Sequence, residues 1–448
     1  MKEEFLHYLW KNCLFDSSCL KDNEGNTITV MHPGQYNHDS GPDFFDARIV
    51  IGDTLWAGNV EIHNQASQFI LHGHHKDPAY DNVILHVVAA NDKSVFNSRG
   101  VEILTIELKF SEALYESYLD LVNNPCIIAC QDHLSEVDHF MVRQWLSVVS
   151  IERMERKTFH VGKLIEETGN DWEEVLYRMI CRYFGFRINS EPFERLSRVL
   201  PSRIIHKHSD PFQVEALLFG AAGMLEEGLF PGALKDQYYK DLIKEFKILS
   251  SKYGIVPLHG WIWKFSRLRP VNFPTVRISQ LASMLSASGG LFSRILECDC
   301  VDRLKKLLEV PASSYWRDHY LFGKQSRITS RNTGDQATGL LIINAIIPVM
   351  FVFGKLRGRQ ELCERAVELL EKLEPESNKI IMEWNNAGIQ PGSAFMSQAL
   401  IELRNEYCSK RKCIECRIGN YLISKGKLMK TDKEILLEPV ENRPPRIF

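Results

Sequence analysis

The sequence predicts an α/β sandwich over residues 1–122 followed by a larger, mostly α-helical domain over 123–448, and three observations carry that reading. Runs rich in β-branched residues are confined to the first quarter of the chain. Helical periodicity dominates everything after the Asn123-Asn124-Pro125 seam. Between them, Asn82-Val83-Ile84-Leu85-His86-Val87-Val88 is almost continuously apolar, as a central strand covered on both faces must be.

In chain order, residues 4–11 form an amphipathic helix with Phe5, Leu6, Leu9 and Trp10 on its apolar side. Strands follow at 27–31, 45–51, 56–63, 83–90 and 103–108, the second and third joined as a hairpin by the Gly52-Asp53 turn. A helix or loop carrying His72, His74, His75 and Asp77 separates the third strand from the fourth. Beyond the seam, periodic apolar residues predict helices at 138–157, 172–183, 212–226, 236–250, 278–286, 360–373 and 393–407. The apolar stretch 337–354 contains Asn344 and Pro348 and reads as a buried helix rather than a membrane span, so no membrane partner is expected.

Composition narrows the function classes. Of 448 residues, 44% are hydrophobic and 25% charged, as in soluble globular proteins, and a net charge of -3 argues against a protein that coats duplex nucleic acid. Eleven cysteines, an odd number spread along a long chain, argue against a disulfide framework. Together with an acidic, then amphipathic N-terminus, they lead us to expect a cytoplasmic protein.

The chemistry concentrates on the hairpin. Asp43 follows Gly41-Pro42 at the entry to its first strand, and Glu61-Ile62-His63 lies on its second. Strand alternation puts Glu61 and His63 on one face and Ile62 on the other. Carboxylates suit a hard cation, Mg²⁺ or Mn²⁺, which lowers the pKa of an attacking water; the carbonyl of Ile62 is a further candidate ligand. A purely structural alternative makes Gly-Pro-Asp a turn opening and pairs Glu61 with Arg48 across the hairpin.

Pro42-Asp43 and Glu61-Ile62-His63, preceded by a helix and followed by a helix and a strand, resemble the PD-(D/E)XK, or restriction-endonuclease-like, nuclease superfamily. The resemblance implies Asp43 and Glu61 as metal ligands, with Glu4 matching a helix carboxylate that some members add. It also implies that His63 takes the place of the usual catalytic lysine. A neutral imidazole could accept the water's proton or ligate the metal, the latter favouring Mn²⁺ or Zn²⁺, and either role makes activity fall below about pH 6. The runs Gly41-Pro42-Asp43-Phe44, Gly58-Asn59-Val60-Glu61-Ile62-His63 and Asn82 to Val88 also resemble an uncharacterised bacterial family, a domain of unknown function, over nearly the full length.

Five histidines of fifteen fall between His63 and His86. His86, His74 and Asp77 are candidates for orienting the site or meeting substrate, against the alternatives of a solvated segment and a core histidine. The stretch from Trp261 to Arg277 carries four cations, four aromatics and no acid. Arg267, Arg269 and Arg277 are its candidate phosphate contacts, with single-stranded or structured nucleic acid as the partner, while its aromatics fit a core. Near the C-terminus Cys408, Cys413 and Cys416 could form a cysteine subdomain holding zinc or iron and sulfur. A fourth ligand is lacking; Cys130, Cys181, Cys298, Cys300 and Cys363 are equal candidates, and free thiols are the alternative.

The function these features predict is metal-dependent phosphodiester hydrolysis of nucleic acid. Its rivals are a non-catalytic nucleic-acid-binding or scaffold protein and a small-molecule phosphoesterase.

Overall fold

The computed structural model describes residues 1–22, 25–287, 289–327 and 331–425. It divides into two compact units. One comprises Met1–Trp145 with the described part of Arg404–Phe448, and the other Leu146–Leu403. The α/β unit thus extends past the Asn123 seam and recruits residues 404–425.

In the α/β unit, helix α1 (Glu3–Lys11) leads into a mixed sheet of β1 (Ile28–His32), β2 (Gln35–Tyr36), β3 (Phe44–Ile51), β4 (Thr54–Gln65), β5 (Val83–Ala90) and β6 (Thr105–Glu107). The spatial order is β1-β3-β4-β5-β6, with β2 paired to β3. β1, β3 and β4 run antiparallel, and β5 and β6 continue parallel to β4. Short helix α2 (Ser67–Leu71) lies in the β4–β5 connection, and α3 (Glu112–Asn123) follows β6.

Alternation sorts the strand residues to two faces. Ala47, Ile49, Val60, Ile62, Leu85 and Val87 bury against Phe5 and Leu9 of α1 and Leu114, Tyr118 and Leu121 of α3. Ile423, from the returning C-terminal chain, joins that core and is fully buried. Val88 faces the other way, into a smaller cluster with Phe69 of α2, Tyr80, Val95 and Ile103. Each such apolar side chain contributes about 1.5–3 kcal/mol when fully buried.

Two irregularities shape the hairpin. The β3–β4 register slips by one residue between Phe44 and Ala47, and Asp46 there adopts a left-handed backbone with φ of 56°. Such a bulge bends a strand and re-aims the residues beside it, here Asp43. At Gly58, a Cβ would lie 2.4 Å from Ile84 Cγ2 and 2.8 Å from the Asn82 carbonyl, so close packing of β4 on β5 requires glycine.

The long helix α4 (His139–Glu167) carries the chain into the helical unit, extending ten residues beyond the periodic stretch that predicts it. The remaining predicted helices form with ends shifted by a few residues, and a two-stranded ribbon, His319–Leu321 with Lys324–Gln325, is added. Where a helix was expected to run to Tyr407, the α-helix Ala394–Glu402 gives way to a π turn, Leu403–Cys408.

The helix Asp335–Leu356 is long and apolar enough to cross a membrane by length and composition, yet 72% of its apolar window is buried inside the protein. A π turn at Ile342–Ile346 interrupts it just before Pro348, whose ring nitrogen has no hydrogen to donate. Lys157 of α4 reaches this turn, donating to the Ile343 carbonyl at 3.3 Å, Asn344 Oδ1 at 2.9 Å and Gln398 Oε1. Burial holds its ammonium well below the ordinary value.

Candidate functional site

Asp43 and Glu61 are clasped to each other's backbone. The Asp43 amide donates to Glu61 Oε2 at 3.1 Å, and the Ile62 amide donates to Asp43 Oδ2 at 2.9 Å. The bulge makes this possible by restarting the β3–β4 pairing at Phe44 and Val60. Glu61 is buried and Asp43 half-buried. Among the described residues neither has a lysine or arginine partner; their basic neighbours are all imidazoles. Arg48 does not reach Glu61: it stands opposite Ala57, its side chain exposed.

His74 Nε2 lies 3.4 Å, and His63 Nε2 3.7 Å, from Glu61 Oε1. His7 Nε2 of α1 lies 3.4 Å from Asp43 Oδ2 and is a buried nitrogen without a hydrogen-bond partner. Burial, reinforced by the Asp43 charge, pushes the Glu61 carboxyl well above the usual range. Two carboxyl groups sharing a desolvated place with no cation between them would gain from binding one.

His63 belongs to a chain of rings. Its Nδ1 is 3.0 Å from His86 Nε2, its Nε2 is 3.1 Å from His72 Nδ1, and His86 Nδ1 is 3.4 Å from Thr105 Oγ1. The hydrogen count orders this chain. The Thr105 hydroxyl donates to the Ile103 carbonyl at 3.2 Å, so His86 Nδ1 is the donor toward Thr105 and its Nε2 accepts from His63 Nδ1. The lone pair of His63 is thereby placed on Nε2, where it accepts from His72 Nδ1 at 3.1 Å. The ring nitrogens of His63, His72 and His74 that could bind a metal lie within 4.8 Å of one another.

His63 and His86 are held neutral. Burial, then the neighbouring rings of His86, His72 and His74, hold His63 far below its ordinary value; burial and His74 bring His86 down to about 4. The expectation that His63 protonates near pH 6 is therefore corrected, because desolvation and four neighbouring rings, His7 among them, oppose the proton.

Other expected residues are placed differently. The exposed Glu4 carboxylate accepts from Tyr118 Oη at 2.7 Å and pairs with Lys2 at 3.4 Å. Glu3 is the α1 carboxylate within electrostatic reach of Asp43, His7 and His72. Asp77 is occupied as a cap, accepting from the Ala79 amide at 2.9 Å, and acts on His74 only through its charge. His74 stacks on Tyr80 with ring centroids 3.9 Å apart. His7, Glu3 and Thr105 were missed in the sequence. Residues 3 and 7 share one face of α1, a spacing that marks them as neighbours but does not say what they meet.

In the helical unit Arg267 and Arg269 are exposed. Arg277 is not a phosphate contact: it is buried, lies over the Phe186 ring at 4.3 Å and donates to Gln280 Oε1 at 2.9 Å and Asn272 Oδ1 at 2.6 Å. The aromatics divide, Trp263 being core and Trp261 75% exposed. Cys408, Cys413 and Cys416 belong to the α/β unit, as does Cys130.

Fold and site together define a two-unit protein whose mixed sheet carries a buried carboxylate and imidazole cluster. The chain matches the family described as a protein of unknown function, DUF2851, over residues 3–379, and it belongs to that family. No curated protein and no solved structure matches it.

Proposed function

We propose that the chain is a metal-dependent phosphodiesterase of the restriction-endonuclease-like type, acting on nucleic acid. The observation that carries this reading is the pair of half-buried Asp43 and buried Glu61, clasped by reciprocal backbone hydrogen bonds and lacking a lysine or arginine partner among the described residues. The element order supports it: α1, the β3–β4 hairpin, α2 and then β5 parallel to β4 is the order on which the resemblance rests.

The donor set fits a divalent cation, with Asp43, Glu61 and the Ile62 carbonyl as ligands. When bound, such an ion supplies charge neutralisation at the phosphate and a more acidic water. His63 Nε2, its lone pair set by His86 and Thr105, would take a proton from water or join the ligand set on releasing its hydrogen bond to His72 Nδ1. Glu61 must give up its own proton to bind a cation. His7 neighbours Asp43 from α1 and offers a donor to a phosphate oxygen.

A second reading, a hydrolase of small phosphoesters, is favoured by the convergence of His63, His72 and His74, a donor set suited to Zn²⁺ or Mn²⁺. Both readings are tested by Mn²⁺- and Zn²⁺-dependent cleavage of labelled single- and double-stranded DNA and RNA, beside a small chromogenic phosphodiester. The wild type should cut nucleic acid, and Glu61→Gln should lose about a hundredfold or more in rate. Cleavage of the small ester alone selects the second reading. If neither protein cuts and both bind nucleic acid equally, the fold serves as a binding module.

A further inference from the structure

Three imidazole rings from two stretches of chain converge beside Glu61. His63 stands on β4, and His72 and His74 follow α2 in the connection to β5. Gly73 between them adopts a left-handed backbone with φ of 82°, so the chain turns there and both flanking rings reach His63. The His63 ring centroid lies 5.0 Å from that of His72 and 5.5 Å from that of His74, and the latter two are 5.5 Å apart.

Their donor atoms have the spacing of ligands. A zinc ion held by ring nitrogens at about 2.0–2.1 Å keeps tetrahedral ligands about 3.3 Å apart. His63 Nε2 and His72 Nδ1 are 3.1 Å apart, while Glu61 Oε1 lies 3.4 Å from His74 Nε2 and 3.7 Å from His63 Nε2. One ligand atom from each of the three histidines lies within 4.8 Å of the other two. The orientation is built in as well. His63 Nδ1 is anchored by His86 and His86 by Thr105, the outer hydrogen bonding that metal-bound histidines almost always have. His74 is fixed by stacking on Tyr80 and by an edge contact with Phe69 at 5.4 Å. Glu61 Oε2 accepts from the Asp43 amide, which leaves Oε1 to the histidines.

We infer that His63, His72 and His74 form a zinc site of their own, with Glu61 Oε1 as the fourth ligand, beside the place for a hard cation at Asp43. Nitrogen donors select zinc over magnesium, and carboxylate and carbonyl oxygens do the reverse, so the two places differ in hardness. They share Glu61 alone, one oxygen facing each. The ion takes the position of the hydrogen between His63 and His72: the Nδ1 proton of His72 is released to solvent and Nε2 of the same exposed ring takes one up, with no net change. His63 is then a ligand and not the base that handles water. The exposed His72 also gives the ion a path from solvent. The inference deepens the proposed function and rests on it only for what the shared carboxylate does; zinc binding stands apart from it.

The test is calorimetric titration of the metal-stripped full chain with Zn²⁺ and, separately, Mn²⁺, beside visible absorption on loading with Co²⁺. His72→Ala and His74→Ala should each weaken zinc by more than about tenfold, since losing a ligand costs more than losing the hydrogen bond behind it, and Thr105→Val should weaken it by about tenfold. Asp43→Asn should leave zinc affinity unchanged while weakening Mn²⁺. Cobalt reads the unmutated protein: tetrahedral nitrogen and oxygen ligands give d–d bands without the intense charge transfer of thiolates. Undiminished zinc affinity in folded His72→Ala and His74→Ala, or a cobalt spectrum dominated by thiolate charge transfer, would overturn the site and leave the nuclease reading standing. Zinc bound as expected by a protein that cuts no phosphodiester would keep the site and remove the nuclease reading.

Discussion

His63 shows how one residue's meaning depends on its neighbours. Alone it is a histidine two positions beyond a glutamate on a strand; in the fold its Nδ1 is committed to His86, which is committed to Thr105. The hydroxyl of Thr105 is thus a positioning group three atoms of chemistry away. Thr105→Val should lower kcat about tenfold with KM little changed, because outer hydrogen bonds orient the inner nitrogen. Unchanged kcat in a folded variant would sever Thr105 from the chain of rings.

Lys157 carries a residue-scale prediction of a different kind. Its folded pKa is held below its ordinary value near 10.5 by burial, then by the Arg153 charge. Between those values the unfolded chain binds more protons than the folded one, so stability rises with pH, and is lost as pH falls toward the folded value. The unfolding free energy of wild type relative to Lys157→Met should therefore grow from pH 8 to 10, by at most about 1.4 kcal/mol per pH unit. Parallel denaturant profiles for the two proteins would contradict it.

Among elements, the parallel β4–β5 pair matters most, because its register sets Glu61 beside His86 and His63 beside Val88. Gly58 is the tight point of that pairing, and the obstruction there includes backbone, which cannot swing aside as a flexible side chain does. Gly58→Ala should cost about 1–3 kcal/mol in unfolding experiments and disturb the ring nitrogen resonances of His63 and His86 together. A stable variant with unaltered histidine signals would show that the register has slack.

The Asp46 bulge is a second element-scale device. Its left-handed residue lies outside the intrinsic preference of strands, and it sits three positions from the carboxylate it helps to aim. Irregularity of this sort leaves no mark in an alternating pattern, so the sequence showed a strand there and not its bend. Arg277 illustrates the reverse error. A cation in an aromatic stretch reads as a surface group until the fold places Phe186, Gln280 and Asn272 around it.

For the whole molecule, the central fact is that residues 404–425 belong with the first 145. Ile423 completes the core under the sheet, and the cysteine loop is pinned to residues 124–126. Ending the chain after Leu403 should therefore destabilise the α/β unit. Hydrogen exchange of β3 to β5 should accelerate by tenfold or more, while amides of the helix Trp172–Phe184 keep their protection. Equal exchange in the truncated and full chains would show that the C-terminal segment adds nothing to the sheet.

The sequence by itself determined the strands, the hairpin, most helices and the residues of the carboxylate pair. These rest on periodicity, turn chemistry and residue type, which are local and read off a single stretch of chain. Tertiary structure decided which groups stand beside them. It brought His7 to Asp43, Glu3 rather than Glu4 toward the site, and His72 and His74 to His63. Such meetings depend on how distant segments share buried space, and nothing in the spacing of residues encodes the low dielectric that keeps His63 neutral and Glu61 protonated.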